Sequence, residues 1–200
     1  MCGRYYVDDE TAREIERIIR IADEKVKRMS ATEFTLQAKD IHPTDTAPIL
    51  MQSGTGLCCS MQKWGFPGFD GKQIIFNARS ESAMEKKMFQ ESVEHRRIVI
   101  PATWFYEWNR KKEKSTFYRE DGKVLLMAGI YSRYQDEDRF VVLTTAANES
   151  MKPVHDRMPL ILEENEIMPW IFDEVRYREI LLKKPCLLKR KSEYEQLSLF

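Results

Sequence analysis

Four β-branched or aromatic runs, closely spaced in the middle of the chain, constrain its fold more than any other feature. Residues 98–108, 115–119, 124–134 and 139–145 are rich in side chains that pack well on a pleated surface. Gly122 and the acidic cluster Asp136-Glu137-Asp138 separate some of these runs as turns. Connections this short predict antiparallel neighbours. Shorter strand candidates lie at 47–51, 56–64, 73–76 and 158–162.

Helices are predicted around this β-rich centre. Over about residues 9–28, Ile15, Ile18, Ile19, Ala22 and Val26 recur at helical spacing, and Asp8, Asp9 and Glu10 sit where the helix dipole favours negative charge. A second helix is expected over about 82–95, with Met84, Met88 and Phe89 as its apolar face, and two short ones at 164–172 and 175–183. The chain shows neither an internal repeat nor a long linker. The expected class is α+β: a curved antiparallel β-sheet or open barrel with peripheral helices. One catalytic domain is expected over 1–185, followed by a polar tail over 186–200.

Charge and cysteine usage narrow the functional classes. Lys+Arg and Asp+Glu both number 32, so the chain as a whole does not attract nucleic acid, and such a role needs positive charge concentrated locally. No secretory-type segment follows Met1-Cys2-Gly3-Arg4, and no apolar run is long enough to span a bilayer. Cys2, Cys58, Cys59 and Cys186 lack a disulfide-framework spacing. With three histidines and no C-x-x-C pair, neither a metal site nor a cofactor is expected. The expected setting is the reduced cytoplasm, associated with the nucleoid if the source is bacterial.

Four segments could carry chemistry. Removal of Met1 before a small residue would leave Cys2 with a free α-amine beside its thiol. The amine titrates near ~8 and the thiol near ~8.5, and together they can condense with an aldehyde to a five-membered thiazolidine. The alternative is an incidental small hydrophobe at a frayed end. Asn77 and Arg79, in Phe76-Asn77-Ala78-Arg79-Ser80-Glu81, could orient an amine and grip a phosphate, or Asn77 or Ser80 could simply cap a helix. Glu107, set among Trp104, Phe105, Tyr106 and Trp108, is costly to bury unless paired or functional, and would then suit proton transfer; otherwise it faces outward from an alternating strand. His155, followed by Asp156 and Arg157, could shuttle protons near neutral pH, or belong to a surface turn in which the acid and the arginine pair.

Taken in order, Met-Cys-Gly-Arg, Asn-Ala-Arg-Ser-Glu, Ile-Pro-Ala-x-x-Phe-Tyr-Glu-Trp and Thr-x-Ala-Asn-x-x-Met-x-x-x-His-Asp-Arg-Met-Pro resemble the SRAP domain, the SOS-response-associated peptidase family. The resemblance runs from Cys2 to about Leu162. It implies that the Cys2 amine attacks the ring-opened sugar of an abasic site in single-stranded DNA and that the thiol closes a thiazolidine. It further implies that Asn77 holds the Cys2 end, Glu107 serves proton transfers, and His155 assists ring opening and reversal. Arg4, Arg79 and Arg157 would contact phosphates, with Trp64 as a base-stacking surface. The family is also credited with removing its own Met1, and strand cleavage is a further possible activity.

Two departures stand out. Trp104 occupies a position where the family often has glycine, and the segment after Trp64-Gly65 lacks a second tryptophan that many members carry. Separately, Gln196, Leu197, Leu199 and Phe200 resemble the pentapeptide by which bacterial replication proteins dock on the sliding clamp; an amphipathic end packed on its own domain is the alternative. Two other functions compete: an N-terminal-nucleophile amidotransferase, which also begins Met-Cys-Gly, and a non-catalytic single-stranded DNA binder. A monomer is the expected state.

Overall fold

The structure, a computed structural model, describes residues 2–22, 36–69, 71–135 and 137–192. The chain enters as β1 (Tyr5–Val7) and turns into α1 (Asp9–Ala22). Asp8 caps this helix: its Oδ1 accepts from the backbone amides of Glu10 and Thr11, both at 3.1 Å. Ile15 and Ile18 are buried, as the apolar spacing predicts, while the expected extension over 23–28 lies outside the described residues. Strand β2 (Lys39–Ile41) is followed by the hairpin of β3 (Thr46–Ser53) and β4 (Gly56–Trp64). The short strands β5 (Phe66–Pro67), β6 (Ile74–Ile75) and β7 (Asn77–Arg79) precede α2 (Ser80–Ala83) and α3 (Lys87–His95).

The β-rich centre then forms β8 (Arg97–Ala102), β9 (Trp104–Trp108), β10 (Lys114–Tyr118), β11 (Leu125–Tyr134) and β12 (Glu137–Ala146). It is followed by β13 (Arg157–Pro159) and β14 (Ile161–Leu162). A 3-10 turn, Glu164–Glu166, leads to α4 (Ile167–Phe172), α5 (Arg176–Leu181) and β15 (Lys189–Ser192).

The class is α+β, and the barrel expected to be open is closed. Around it β12 pairs with β4, β4 with β3, β3 with β8, β8 with β11, and β11 again with β12. Closure is possible because β12 uses different stretches for different partners. Residues 137–142 face β11, Arg139 and Phe140 face β4 in parallel, 142–144 face β7 in parallel, and 144–146 face β13. Closing the sheet removes exposed edges that would otherwise invite foreign strands. A second sheet, in the order β15-β10-β9-β1-β2, packs one face against the core through Tyr5, Phe105 and Phe117, all fully buried.

Several boundaries differ from expectation for local reasons. The run 98–108 breaks at Thr103, whose hydroxyl donates to Asp8 Oδ1 at 2.8 Å and whose amide donates to Tyr6 O at 2.9 Å, so one corner serves both sheets. The helix expected over 82–95 is two helices, and the strand expected over 158–162 is β13 and β14. Residues 186–192, assigned to the tail, belong to the fold. There β15 pairs with β10, Leu188 is buried, and Asn148 Nδ2 donates to Cys186 O at 2.8 Å.

Candidate functional site

Three distant segments meet at Cys2. The stretch before β1 runs beside β9, with Tyr5 opposite Phe105 and the Tyr106 amide donating to Arg4 O at 3.0 Å. Carried back, this antiparallel register sets the start of the chain level with Glu107 and Trp108. On β9 the side chains alternate: Phe105 and Glu107 are buried, whereas Trp104, Tyr106 and Trp108 are half-buried on the other face. Glu107 therefore points inward, and its Oε1 accepts from the Trp108 amide at 3.2 Å. The third segment is β7, held in parallel against β12, from which Asn77 Nδ2 donates to Cys2 O at 2.8 Å. The other amide atom, Asn77 Oδ1, is buried with no hydrogen-bond partner among the described residues, leaving an acceptor fixed beside Cys2.

The thiol of Cys2 is buried and faces the Arg4 carbonyl at 3.9 Å. Burial, and after it the negative charge of Glu107, push this thiol up to about 12. Cys2 is held as a neutral thiol. Tyr5 is a member of the site that sequence reasoning missed. Its phenol is fully buried with no hydrogen-bond partner among the described residues and is raised well above its ordinary range by burial and by Cys2. Only its position three residues after Cys2 could have marked it.

His155 stands just before β13 and lines an open cleft of about 720 Å³. One wall is the β9–β10 turn, with Trp108, Arg110 and Lys111; the other is the loop carrying Lys152 and His155. His155 Nδ1 accepts from the Arg157 amide at 3.0 Å, and Asp156 Oδ1 lies 2.9 Å from the same nitrogen. Cys2, Asn77 and Glu107 converge, whereas His155 lines the neighbouring cleft with Trp108, the residue after Glu107, and none of those three is among that cleft's lining residues.

The expected DNA contacts are distributed unevenly. Arg79 is exposed at the end of β7. Arg4 is half-buried, ion-paired with Asp40, with its guanidinium 5.0 Å above the Tyr106 ring. Arg157 is only 8% exposed. Its guanidinium grips both oxygens of Glu81, Nη2 at 2.9 Å, and also donates to Thr144 O at 2.6 Å. A phosphate would therefore have to compete with Glu81. Trp64 does not fit its expected role. It is fully buried at the end of a barrel strand, its Nε1 donates to Phe76 O at 2.8 Å, and its ring packs against Tyr5 and Phe140. It presents no face to a base, because closing the barrel through Phe140 and Trp64 turns that position inward. Gln196, Leu197, Leu199 and Phe200 lie outside the described residues. Among the described residues, no group of three or more His, Cys, Asp or Glu is placed to hold a metal ion, and no helix is long and apolar enough to cross a membrane.

Comparison with known proteins gives consistent results. The model of the family described as SOS response associated peptidase (SRAP) matches residues 1–198. The chain is 28% identical over 194 residues to the Abasic site processing protein YedK of Escherichia coli (strain K12), covering 90% of this chain and 83% of that one. It is 26% identical over 191 residues to the Abasic site processing protein YoqW of Bacillus subtilis (strain 168), covering 86% and 80%. A crystal structure of a protein from Bacteroides thetaiotaomicron shares the fold, with a TM-score of 0.75 and 24% identity over 96% of this chain and 91% of that one.

Proposed function

Because this chain belongs to the SOS response associated peptidase (SRAP) family, we propose that it processes abasic sites by forming a covalent link between Cys2 and the damaged sugar in single-stranded DNA. The observation that carries this reading is the convergence on Cys2: Asn77 bonds its carbonyl, and Glu107 acts electrostatically on its thiol.

The chemistry follows from those positions. Met1 must first be removed, a hydrolysis we assign to the protein itself. The freed amine then adds to the C1′ aldehyde of the ring-opened deoxyribose, and loss of water gives an imine. The thiol adds to C1′, its proton passes to the nitrogen, and a thiazolidine closes; the net products are the ring and one water. Glu107 is the group that takes the amine proton and relays the thiol proton. His155, which lines the cleft, donates to the sugar ring oxygen as the ring opens and reverses the transfer when the linkage breaks. Asn77 anchors the Cys2 backbone so that amine and thiol meet one carbon. Arg79 and Arg4 are the arginines best placed for phosphates. The amidotransferase alternative asks the thiol to attack first, and a buried thiol beside a carboxylate is poorly suited to that role. The segment from Gln196 to Phe200 is proposed as a clamp tether; deleting it should abolish clamp pull-down while cross-linking persists.

The decisive test is a denaturing gel of Met1-processed protein with a single-stranded oligonucleotide carrying one abasic site. A shifted band requiring both Cys2 and the lesion is expected. Its absence, with a free Cys2 amine verified by mass spectrometry, would overturn the mechanism.

A further inference from the structure

The five-stranded sheet has a second face, directed away from the core, whose composition is unusual. Strand pairing sets its side chains in rows: Tyr6 beside Trp104, Lys114 beside Trp108, Thr116 between Tyr106 and Lys191, and Tyr118 beside Lys189. Arg4 lies beside Tyr106. Tyr6 and Trp104 are stacked, with centroids 4.2 Å apart and planes 2° from parallel. Tyr106 carries Arg4 at 5.0 Å and Lys114 at 5.4 Å from its ring. Tyr118, Lys189 and Lys191 are exposed.

Single aromatic residues on a protein surface are ordinary, but a patch of them on adjacent strands marks a binding surface. Ring faces offer stacking to any base, and interleaved lysines offer charge to phosphates; sheet aromatics that stack two or three bases are a recurring solution to single-strand binding. The charge balance favours an anionic partner. Among the described residues, Asp40 is engaged by Arg4, and Glu120 by Lys189 at 2.7 Å. On a chain with no net charge, this face sets Arg4, Lys114, Lys189 and Lys191 against those two acids, a local positive surplus. The face is also continuous with the cleft, because Trp108 lines the cleft and begins the aromatic row on β9. From Trp108 to Trp104 the strand spans about 13 Å, a distance on the scale of a few stacked bases.

We propose that this face is the track for the undamaged part of a single DNA strand whose abasic nucleotide is bound at Cys2. Bases stack on Trp108 and on the Tyr6–Trp104 pair, and phosphates are met by Lys114, Lys189 and Lys191. The inference rests on the proposed function for which strand reaches Cys2, but it can fail separately.

The test uses the full chain and two probes. An undamaged fifteen-nucleotide thymidine oligonucleotide, followed by fluorescence anisotropy at several salt concentrations, reports on the track. A trinucleotide with a central abasic site reports on the chemistry without reaching it. The double charge reversal Lys189→Glu/Lys191→Glu, on exposed positions of β15 and with folding verified by thermal unfolding, should weaken the long strand by roughly tenfold or more and flatten its salt dependence. Trp104→Leu should weaken it by roughly tenfold with the salt slope kept. Trinucleotide cross-linking should be unchanged in both variants. Wild-type affinity in both would overturn the track even if cross-linking is normal. So would a dimer that the lysine reversals dissociate without any change in oligonucleotide affinity. Failure of the wild-type protein to cross-link the trinucleotide would instead count against the proposed function.

Discussion

At Cys2 the backbone and the thiol are controlled by different neighbours, and the two effects are separable by mutation. Asn77→Ala removes the only amide bond to the Cys2 carbonyl seen among the described residues. Cross-linking should slow about ten- to hundredfold with little change in the melting temperature, a split readable by single-turnover gels beside thermal unfolding. The thiol leaves a mark on stability. Its ordinary value is 9.0 and the fold lifts it to about 12, so the unfolded chain gives up this proton first as pH rises. The thiol's contribution is therefore fully present below about pH 9 and is lost between 9 and 12. Tyr5, raised as well, acts in the same direction at higher pH. Urea midpoints should be flat with respect to this group from pH 7 to 9 and fall above it, with a shallower fall in Cys2→Ala. An equally steep decline in that variant would show that the thiol is not responsible. Glu81 behaves oppositely: its hydrogen bond to Arg157 holds it below its ordinary value, so its contribution is lost as pH falls through the carboxylate range.

At the scale of elements, the barrel depends on close approach between strands. Gly129 lies on β11 between β8 and β12, where an added Cβ would come within 2.3 Å of Ile100 Cδ1 and 2.8 Å of the Val141 carbonyl. The isoleucine tip can move but the carbonyl cannot without disturbing the ladder. Gly129→Ala should therefore destabilise the protein by roughly 1–3 kcal/mol, measured by chemical denaturation. A neutral result would mean that the two strands can separate locally. Arg97 shows how helices are fastened to this barrel. Buried on β8, it donates to the carbonyls of Val93 at 2.8 Å and Ile171 at 3.2 Å, near the ends of α3 and α4, while stacking on Tyr177 at 4.2 Å. Those carbonyls are among the acceptors a helix end leaves unsatisfied. Nothing in the apolar periodicity of 98–108 singles this arginine out.

At the scale of the molecule, the C-terminal segment reaches back to the loop that carries His155. Asn148 donates to Cys186 O, Ser150 Oγ accepts from the Leu188 amide at 3.1 Å, and the same loop continues to His155. Truncation after residue 185 should lower the melting temperature by roughly 5–10 °C, the equivalent of about 2–3 kcal/mol, and slow cross-linking. A truncated protein of unchanged stability would deny β15 its place in the fold. The strong β-branched and aromatic runs, the α1 stripe of Ile15 and Ile18, and the four ordered motifs were legible in the chain because they are written in local spacing and residue type. Those motifs marked Cys2, Asn77, Glu107 and His155 as candidates, of which the structure brings Cys2, Asn77 and Glu107 together. Closure of the barrel, the inward turn of Trp64 and Glu107, the capture of Arg157 by Glu81 and the arrival of Tyr5 beside Cys2 were decided only by tertiary structure. Each depends on which strand lies next to which, and on which face of a pleat meets the core. Pairings across dozens of residues set both, and no local pattern encodes them.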